Sequence, residues 1–523
     1  MASPDRPRRR FSWLDIALPS ALIAAVIVTG GVTSSKKYLW YDELFGWTFA
    51  TDPSLGHALR AVADGADAGT PLFYVVAWLS TRVFGPSALA FRGVVCACFA
   101  LAIVVLWRTL RTAYPPRAAA LGLVTATVAS AATAYQFSEG RFYGLLTLAV
   151  ALAIACYVTT DRPELPLRSR VVTALSHTML VYAHTIGLFY SAAILVASMV
   201  RDGMHGRLRA GRYVPILAAW ATLIVWLPAI HRQSDLAKPH SWVSPPSLTD
   251  FADAYLFGIS PLPLVILLTL ALSYVARRAS PDASPDASSP AESSPGRDSM
   301  LVLAYALFSV PLVAFIVSRT VTPLFLPRYF IPAAIGWTIV IAHLAAPAER
   351  PAGAVARRAI VAGWALAFAI LVLKPVAAAI AVRRSERPGL AVEQVVPPDV
   401  PVVVDGAIDF LPFAHYSPHP GGYYYILDWP TALDPRAELE ATVDYKVMDA
   451  WRRNGLLSAR IVQGERFLRD HDRFVVIDDK DYGWYEHAVR DDPAYTSRVI
   501  SDRIPIFGGT ARAILVQRAP RAP

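Results

Sequence analysis

Charged residues are scarce in this sequence. Only 17% of the 523 residues are Asp, Glu, Lys or Arg, whereas 55% are hydrophobic and the mean hydropathy is +0.40. A soluble globular chain usually carries about 25% charged residues. The shortage argues against a soluble protein and predicts one that lies in a membrane.

Cysteine is scarce as well, since Cys96, Cys98 and Cys156 are the only three. All lie inside apolar runs, and their spacing fits neither a disulfide framework nor a metal site. The net charge of +9 would suit a nucleic-acid partner. However, the arginines cluster between apolar runs, as the positive-inside rule expects of cytoplasmic loops, so we predict no nucleic-acid partner.

The apolar residues form repeated runs, most of them near the ~20 residues that cross a hydrocarbon core of ~30 Å. The basic amino terminus precedes the first run without a small-residue cleavage site, which predicts an uncleaved helix with a cytoplasmic amino terminus. We predict eleven transmembrane helices, near 16–33, 88–107, 118–134, 142–159, 171–183, 186–200, 213–230, 260–276, 300–318, 329–346 and 359–380.

Arginine-rich loops alternate with loops that carry fewer basic residues, and this alternation decides two ambiguous segments. The stretch 71–85 is short, so we assign it to an interfacial helix in the first outer loop. The run 171–200 is predicted as two spans that break around His184 and Gly187. The arginine-rich loops, which this arrangement places in the cytoplasm, are 108–117, 161–170, 201–212, 277–297 and 348–358.

The composition divides the chain into two parts. Residues 1–382 form the predicted transmembrane domain, interrupted by a Pro/Ser/Ala/Asp-rich cytoplasmic linker at 279–298. Residues 383–523 are globular in composition and predict a small extracytoplasmic α/β domain. Its strands are expected at 400–411, 423–427, 473–479 and 511–518, with helical material at 455–469.

Three acids stand at the ends of these predicted strands, namely Asp405, Asp478 and Asp479. Carboxylates at the carboxyl ends of parallel strands are typical of a ligand crevice. Turn residues and helix caps would explain the same acids without any ligand. The sequence leaves both readings open.

An acidic pair follows the first predicted helix. The stretch "KKYLWYDELFGWTF" (36–49) places Asp42 and Glu43 among aromatic residues at the outer membrane surface. Asp42 would serve structurally as the N-cap of an interfacial helix whose aromatic residues form a belt. It would serve chemically as a base that takes a proton from a bound hydroxyl group.

Further polar residues fall at predicted outer helix ends. "YQFSEGRFYGL" (135–145) contains Glu139, Arg141 and Tyr143, and "TPLFLPRYFIP" (322–332) contains Arg328 and Tyr329. Arginine at an interface either snorkels or holds a phosphate with its planar fork of donors. "VYAHTIGLFY" (181–190) adds His184, which is either a satisfied core residue or part of the same site. Together these residues favour an anionic, lipid-linked substrate.

The same stretches carry a family resemblance that spans roughly 12–380. The Asp-Glu pair, "TPLFYVVAWLSTRVFGPSALAFR", "SEGRFYGLL", a mid-membrane His and "LPRYFIP" resemble, in matching order, the bacterial relatives of the protein O-mannosyltransferases. The lipid A aminoarabinose transferase belongs to the same GT-C glycosyltransferase superfamily. The resemblance implies an α-helical polytopic enzyme of the cell inner membrane. The enzyme would be a hexosyl- or pentosyltransferase that acts in protein glycosylation or in modification of the cell envelope.

The resemblance also implies roles for the residues. Asp42 matches the family's first-loop aspartate and is the expected general base, with Glu43 beside it. A sugar would pass from a polyprenyl phosphate to a lipid, glycan or protein acceptor with inversion at the anomeric carbon. The positive charge of Arg141 or Arg328 would stabilise the departing phosphate. Gly69 and Thr70 stand where relatives often carry His or Lys, which gives the arginines more weight. The predicted substrate-binding residues are Glu139, Arg141, Tyr143, His184, Arg328 and Tyr329.

No cofactor is predicted. A divalent cation is left open, since Asp42, Glu43 and the histidines could hold one, but no ligand spacing argues for it. A polytopic transporter or flippase of a lipid-linked or anionic substrate is the alternative function. Transporters usually place broken helices and polar sites near the bilayer midplane and often show inverted repeats. This sequence shows no such repeat, and its polar clusters fall at the outer edge.

Overall fold

The fold was analysed in a computed structural model. It describes residues 12–127, 131–160, 165–241, 243–256, 269, 271, 295–346, 358, 362, 369, 373–418, 422–438, 440–478 and 482–519.

Helices make up the described chain as far as residue 345. In chain order they are α1 (Leu14–Lys36), α2 (Tyr41–Thr51), α3 (Leu55–Ala61) continued by a π-helical turn (Val62–Ala66), α4 (Pro71–Phe84), α5 (Ala88–Leu110), α6 (Pro116–Thr127), α7 (Ala131–Gln136), α8 (Tyr143–Thr159), α9 (Leu167–Ala183), α10 (Gly187–Met204), α11 (Ala210–Thr222) with a 3₁₀ turn (Leu223–Val225), α12 (Leu227–Leu236), α13 (Leu248–Leu256), α14 (Pro295–Thr320), a 3₁₀ helix (Pro327–Ala333) and α15 (Ala334–Ala345).

Strands and short helices alternate in the carboxyl-terminal part. They are α16 (Leu390–Val395), β1 (Val402–Val404), α17 (Ala407–Tyr416), β2 (Tyr423–Leu427), α18 (Trp429–Leu433), α19 (Ala441–Arg453), β3 (Ile461–Gln463), α20 (Gly464–Asp470), β4 (Arg473–Asp478), α21 (Trp484–Ala488), β5 (Tyr495–Ile506) and β6 (Gly509–Arg518).

Several helices have the length and composition of membrane spans. Among the described residues, Leu14–Lys36, Ala88–Leu110, Gly296–Thr320 and Pro327–Ala345 qualify. Ala210–Val225 and Leu227–Leu236 form an apolar pair bent by 65°, which is the geometry of a broken span or of a re-entrant loop. The chain is therefore a mostly helical, multi-pass membrane protein with a small sheet domain. The predicted run at 260–276 lies almost entirely outside the described residues, and so does most of the run 359–380 before residue 373, so the total of eleven stays a prediction.

Two predicted features of the helical part have clear outcomes. The run 171–200 is broken as expected, because α9 ends at Ala183 and α10 begins at Gly187. The linker prediction is too long at its carboxyl end, because α14 already begins at Pro295. Proline suits the first turn of a helix, and Asp298 in that turn favours the helix dipole. The rest of the linker, 279–294, lies outside the described residues.

Helix α4 covers nearly all of the stretch predicted to lie in the outer interface. Its 14 residues span about 21 Å at the α-helical rise, which is shorter than a ~30 Å hydrocarbon core. This length agrees with the prediction that the stretch does not cross the membrane, but its place in the interface stays a prediction.

The sheet domain has six strands in the order β3-β2-β1-β4-β6-β5. Strands β1, β2, β3 and β4 are parallel neighbours, whereas β6 pairs antiparallel with β4 and β5. The core between sheet and helices contains Val403, Ile426, Phe467, Phe474, Val476, Trp484, Tyr485, Val489, Ile514 and Val516.

Strand boundaries were predicted unevenly. The expected strand at 400–411 is wrong beyond residue 404, because Asp405 and Gly406 end β1 and the apolar residues that follow form α17. Within 455–469 the structure places β3 before α20. Strand β5 was missed because it is a largely exposed edge strand without a buried apolar face.

The described chain forms two compact units. The first unit comprises residues 1–35, 92–223 and 245–382, and the second comprises residues 36–91, 224–244 and 383–523. The sheet domain thus shares its unit with residues 36–91, which contain the loop predicted to lie outside, and with α12. The functional division at residue 382 stays a prediction.

Candidate active site

The acidic pair lies in the first turn of α2, in the second unit. Trp40 is the N-cap residue, so the structural reading of Asp42 as the cap is wrong. Instead, the Glu43 carboxylate accepts a hydrogen bond of 3.4 Å from the Trp40 N–H. Glu43 is fully buried, whereas Asp42 is half-buried. Glu43 therefore has a structural task, and Asp42 is the carboxylate better placed to meet a substrate.

The helix end also explains how two acids are tolerated here. The first turn of a helix carries partial positive charge on its N–H groups, which stabilises carboxylates. Both acids benefit, since Asp42 and Glu43 stand two and three residues after the N-cap.

Aromatic rings hold α2 within the second unit. Tyr41 and Phe45 pack edge to face at 4.8 Å, and Phe45 packs against Trp451 of α19 at 5.4 Å. The Tyr41 hydroxyl donates a hydrogen bond of 3.1 Å to Asp444. The Trp40 ring stacks on Phe507 at 5.8 Å. These rings fix α2 against the sheet domain.

A cavity of about 240 Å³ lies beside α2 within the same unit. Leu44 and Thr48 of α2 line it, together with Leu411, His415, Trp451, Gly455, Leu456 and Leu457. Most of this lining is apolar. The cavity could therefore take an apolar group next to the helix that carries Asp42.

The residues before α4 leave little room for a side chain at Gly69. A Cβ atom on Gly69 would lie 2.7 Å from the Tyr74 hydroxyl, which donates a hydrogen bond of 2.8 Å to Asp67. The Gly69 carbonyl accepts hydrogen bonds from Trp226 and Gln233. A His or Lys side chain here would displace Tyr74, so this position packs rather than binds.

A carboxylate-bound histidine lies in α3 of the second unit. The His57 Nδ1 lies 2.5 Å from an Asp52 carboxylate oxygen, and its Nε2 lies 3.0 Å from the Asn454 carbonyl. The hydrogen bond to Asp52 raises the pKa of His57 above its ordinary value. The sequence does not reveal these contacts, since Asp52 and Asn454 lie five and 397 residues from His57.

In the first unit, polar residues distant in sequence gather around His184. This residue is buried in the extended break between α9 and α10. Its imidazole stacks on Phe142 with ring centres 3.9 Å apart and lies 4.8 Å from the Tyr329 ring. Both Arg141 and Arg328 interact electrostatically with it. We call Arg141, Phe142, His184, Arg328 and Tyr329 the His184 cluster.

Hydrogen bonds to the backbone hold His184 and Tyr329 of this cluster in place. The Ile186 N–H donates to His184 Nδ1 at 3.2 Å, so a neutral imidazole carries its proton on Nε2 and can donate from there. Proline begins the 3₁₀ helix that presents Arg328 and Tyr329. The Tyr190 hydroxyl donates a hydrogen bond of 3.3 Å to the Tyr329 carbonyl, which ties this helix to α10.

Most of the predicted binding residues in the first unit are thus neighbours. The Arg141 guanidinium lies 5.9 Å from the Phe142 ring, and Tyr143 lies 6.5 Å from Tyr329. Glu139 is buried and accepts, through its carbonyl, a hydrogen bond of 2.8 Å from the Arg141 N–H. Phe142 was missed, although the motif around Arg141 contains it, because an apolar ring gave no chemical signal.

Within the described part of the chain, the side chains close enough to share one metal ion are Asp405, Asp478 and Glu486. These belong to the sheet domain, so Asp42 and Glu43 form no such group among the described residues. Glu486 was not anticipated from the sequence. The predicted acid Asp479 lies outside the described residues.

The comparisons with known proteins concern the fold. The chain is similar to ArnT from Cupriavidus metallidurans bound to undecaprenyl phosphate, with a TM-score of 0.57 and 14% identity over 96% of this chain and 98% of that one. Apo ArnT gives a TM-score of 0.56, with 14% identity, 96% of this chain and 99% of that one. The chain therefore has the GT-C fold that the sequence resemblance implied.

A weaker likeness extends to the Archaeoglobus fulgidus oligosaccharyltransferase in complex with Zn and sulfate. Its TM-score is 0.48, with 10% identity over 87% of this chain and 68% of that one. No protein-family model and no curated protein sequence matches the chain.

Proposed function

We propose that the chain is an integral-membrane glycosyltransferase that moves a sugar from a polyprenyl-phosphate donor to an acceptor on the extracytoplasmic face. The observation that carries the proposal is the His184 cluster. It brings Arg141 and Arg328 from distant parts of the chain around one buried imidazole. The ArnT structure with the same fold contains undecaprenyl phosphate, a ligand of the chemistry that such a cluster would bind.

The His184 cluster supplies what a phosphate leaving group needs. Guanidinium groups stabilise the charge that develops on the departing phosphate, and His184 Nε2–H adds a neutral donor. The Tyr329 and Phe142 rings flank the imidazole and limit its rotation. A phosphate is already ionised when it departs, so this side of the reaction requires no general acid.

Asp42 supplies the proton acceptor. Its half-buried carboxylate in the first turn of α2 takes the proton of the acceptor hydroxyl as the oxygen attacks the anomeric carbon. The attack breaks the bond between the anomeric carbon and the phosphate oxygen in one step, so the configuration inverts. The cavity beside α2 would hold an apolar part of the acceptor.

Incubation of the purified protein with polyprenyl-phosphate sugars tests the function. We expect release of polyprenyl phosphate that depends on an added acceptor. Movement of an intact lipid-linked substrate across a proteoliposome membrane, with no sugar loss, would instead support the transporter alternative.

We also propose a topology in the inner membrane with a cytoplasmic amino terminus and the sheet domain outside. Support comes from the distribution of arginine between alternate loops. Reporter fusions at residues 205, 290 and 353 should report the cytoplasm, and fusions at 60, 245 and 450 the opposite side. A cytoplasmic signal at residue 450 would make the helix count wrong by an odd number.

A further inference from the structure

The first turns of α9 and α11 lie side by side in the first unit. A Cβ atom on Gly211, at the start of α11, would lie 3.5 Å from Nη2 of Arg170, at the start of α9. Near the other ends of the two helices, the Tyr182 hydroxyl donates a hydrogen bond of 2.7 Å to the Thr222 carbonyl. The helices are therefore parallel neighbours, and both begin at the same end of the unit.

This end of the two helices is strongly basic. The described stretches 165–175 and 198–215 contain six arginines and a single acid, Asp202. That acid is already engaged, because it forms a buried ion pair with Arg212 and accepts a hydrogen bond of 2.8 Å from the Tyr213 hydroxyl. It therefore does not offset the charges of Arg168 and Arg170 at the start of α9.

Both of these arginines are exposed, and their guanidinium groups form no hydrogen bond or ion pair with any residue that the structure describes. By contrast, Arg111, in another loop predicted to face the cytoplasm, pairs with Asp15 at 2.8 Å. Helices α9 and α11 also begin without a side-chain cap, so the N–H groups of their first turns add partial positive charge. Positive side chains at a helix start are unfavourable unless an anion lies beside them.

Exposed aliphatic side chains continue along the same two helices. On α9, Leu167, Val171 and Leu175 repeat every four residues, and on α11 Val214 and Leu217 stand three residues apart. Residues three or four apart lie on one face of a helix, so each set forms an apolar strip. A cluster of cations at the helix starts, followed by aliphatic surface along the helices, matches the division of a phospholipid into a charged head group and acyl chains.

We propose that this α9–α11 surface binds an anionic phospholipid. The lipid phosphate would accept hydrogen bonds from Arg168 and Arg170, whose planar forks of donors match phosphate oxygens. The acyl chains would lie along the aliphatic strips. A zwitterionic lipid carries its own cation, so the surface favours a head group with a net negative charge, as basic surfaces beside membrane helices do. This binding is independent of the transferase reaction.

Native mass spectrometry of the delipidated full-length protein in detergent tests this surface. The probes are phosphatidylglycerol, phosphatidylcholine and inorganic phosphate, each added in a titration. The test variant is the double change Arg168→Gln/Arg170→Gln. Its matched control, Arg108→Gln/Arg117→Gln, removes the same charge from two exposed arginines of α5 and α6, which are also predicted to face the cytoplasm. Thermal unfolding of each variant identifies any that fails to fold.

We expect wild type and the control variant to bind phosphatidylglycerol about tenfold or more tightly than phosphatidylcholine. Each arginine near an anionic membrane surface strengthens binding about fivefold, so Arg168→Gln/Arg170→Gln should weaken binding of phosphatidylglycerol about 20-fold. A second variant, Leu175→Gln/Leu217→Gln, keeps the arginines and should weaken binding of both lipids by a similar factor.

Equal affinity of wild type for the two lipids would overturn the proposal. So would equal losses of phosphatidylglycerol binding in the test and control variants, because the arginines would then act only through the general charge of the protein. Displacement of phosphatidylglycerol by an equal concentration of inorganic phosphate, with no effect of Leu175→Gln/Leu217→Gln, would also overturn it and make this a site for a free anion.

Discussion

The start of α2 and the His184 cluster hold charged side chains of opposite sign. At α2, two neighbouring carboxylates are stabilised by the amino-terminal end of a helix, and that of Glu43 accepts a hydrogen bond from the N–H of the N-cap residue Trp40. In the His184 cluster, the guanidinium groups of two half-buried arginines interact with a buried imidazole that stacks on an aromatic ring. One region thus favours a proton acceptor and the other an anion, which is the pair of tasks that sugar transfer from a phosphate requires.

The two histidines sharpen this contrast. His57 in the second unit binds a carboxylate, which raises its pKa. His184 in the first unit instead faces Arg141 and Arg328. The Asp52 carboxylate thus favours the charged form of His57, whereas His184 lies next to two arginines.

The largest expected effect comes from removing the proposed base. Asp42→Asn keeps the size of the side chain but cannot take a proton, and loss of a positioned base typically slows a reaction ~10²–10⁴-fold. Sugar transfer should fall by that factor while the protein inserts and folds normally. Turnover is measured by release of polyprenyl phosphate, with the exposed acid change Asp470→Asn as control. Near-normal turnover of Asp42→Asn would refute the base assignment.

The next largest effect tests the anion side of the comparison. Arg328→Lys keeps the charge but loses the planar fork of donors that matches phosphate oxygens. A contact to an ionised group contributes ~1.5–3 kcal/mol, so donor affinity should fall by about tenfold or more. Arg319→Lys, on an exposed arginine at the end of α14, is the matched control. If lysine at 328 restores wild-type affinity and turnover, Arg328 is a membrane anchor.

A smaller effect separates the two acids of α2. Glu43→Ala removes the acceptor of the Trp40 N–H and leaves space in a buried position, so the free energy of unfolding should fall by about 1–2 kcal/mol. Glu43→Gln keeps an oxygen acceptor and should cost less. Thermal unfolding and turnover are measured for both. A loss of turnover in a stable Glu43→Gln protein, equal to that of Asp42→Asn, would give the two acids the same role.

The smallest expected effect concerns pH. Because Asp52 raises the pKa of folded His57, the pair contributes stability that is complete below the unfolded value of about 6.5 and is lost as pH rises through the folded pKa. The melting temperature of wild type relative to His57→Gln should therefore be higher at about pH 5.5 than at about pH 8.5. An equal difference at both pH values would show that the pair is not coupled to folding.

The sequence predicted those features that depend on residue type and on the order of short motifs along the chain. The polar residues named at outer helix ends include most of the His184 cluster, and the break at His184 was anticipated from the loop charges. The GT-C fold was also implied by ordered short motifs. Each of these features depends on local residue types rather than on long-range contacts.

Long-range packing explains what the sequence did not predict. Phe142 stacks on His184 across 42 positions of sequence, and nothing local marks the ring for that contact. The hydrogen bond between the Trp40 N–H and Glu43 depends on where α2 begins, and the aromatic residues around this boundary do not signal it in the sequence. Asp405 and Asp478 come close because β1 and β4 are neighbours in the sheet, and α21 then brings Glu486 to the same place.

The division of labour between these two regions is tested most directly by the affinity of undecaprenyl phosphate for three proteins: wild type, Asp42→Asn and Arg328→Ala. Binding without an acceptor requires the anion site but no proton transfer. We predict wild-type affinity for Asp42→Asn and an affinity about tenfold or more lower for Arg328→Ala. Unchanged binding by Arg328→Ala, with binding lost in Asp42→Asn, would contradict the assignment of phosphate binding to the His184 cluster.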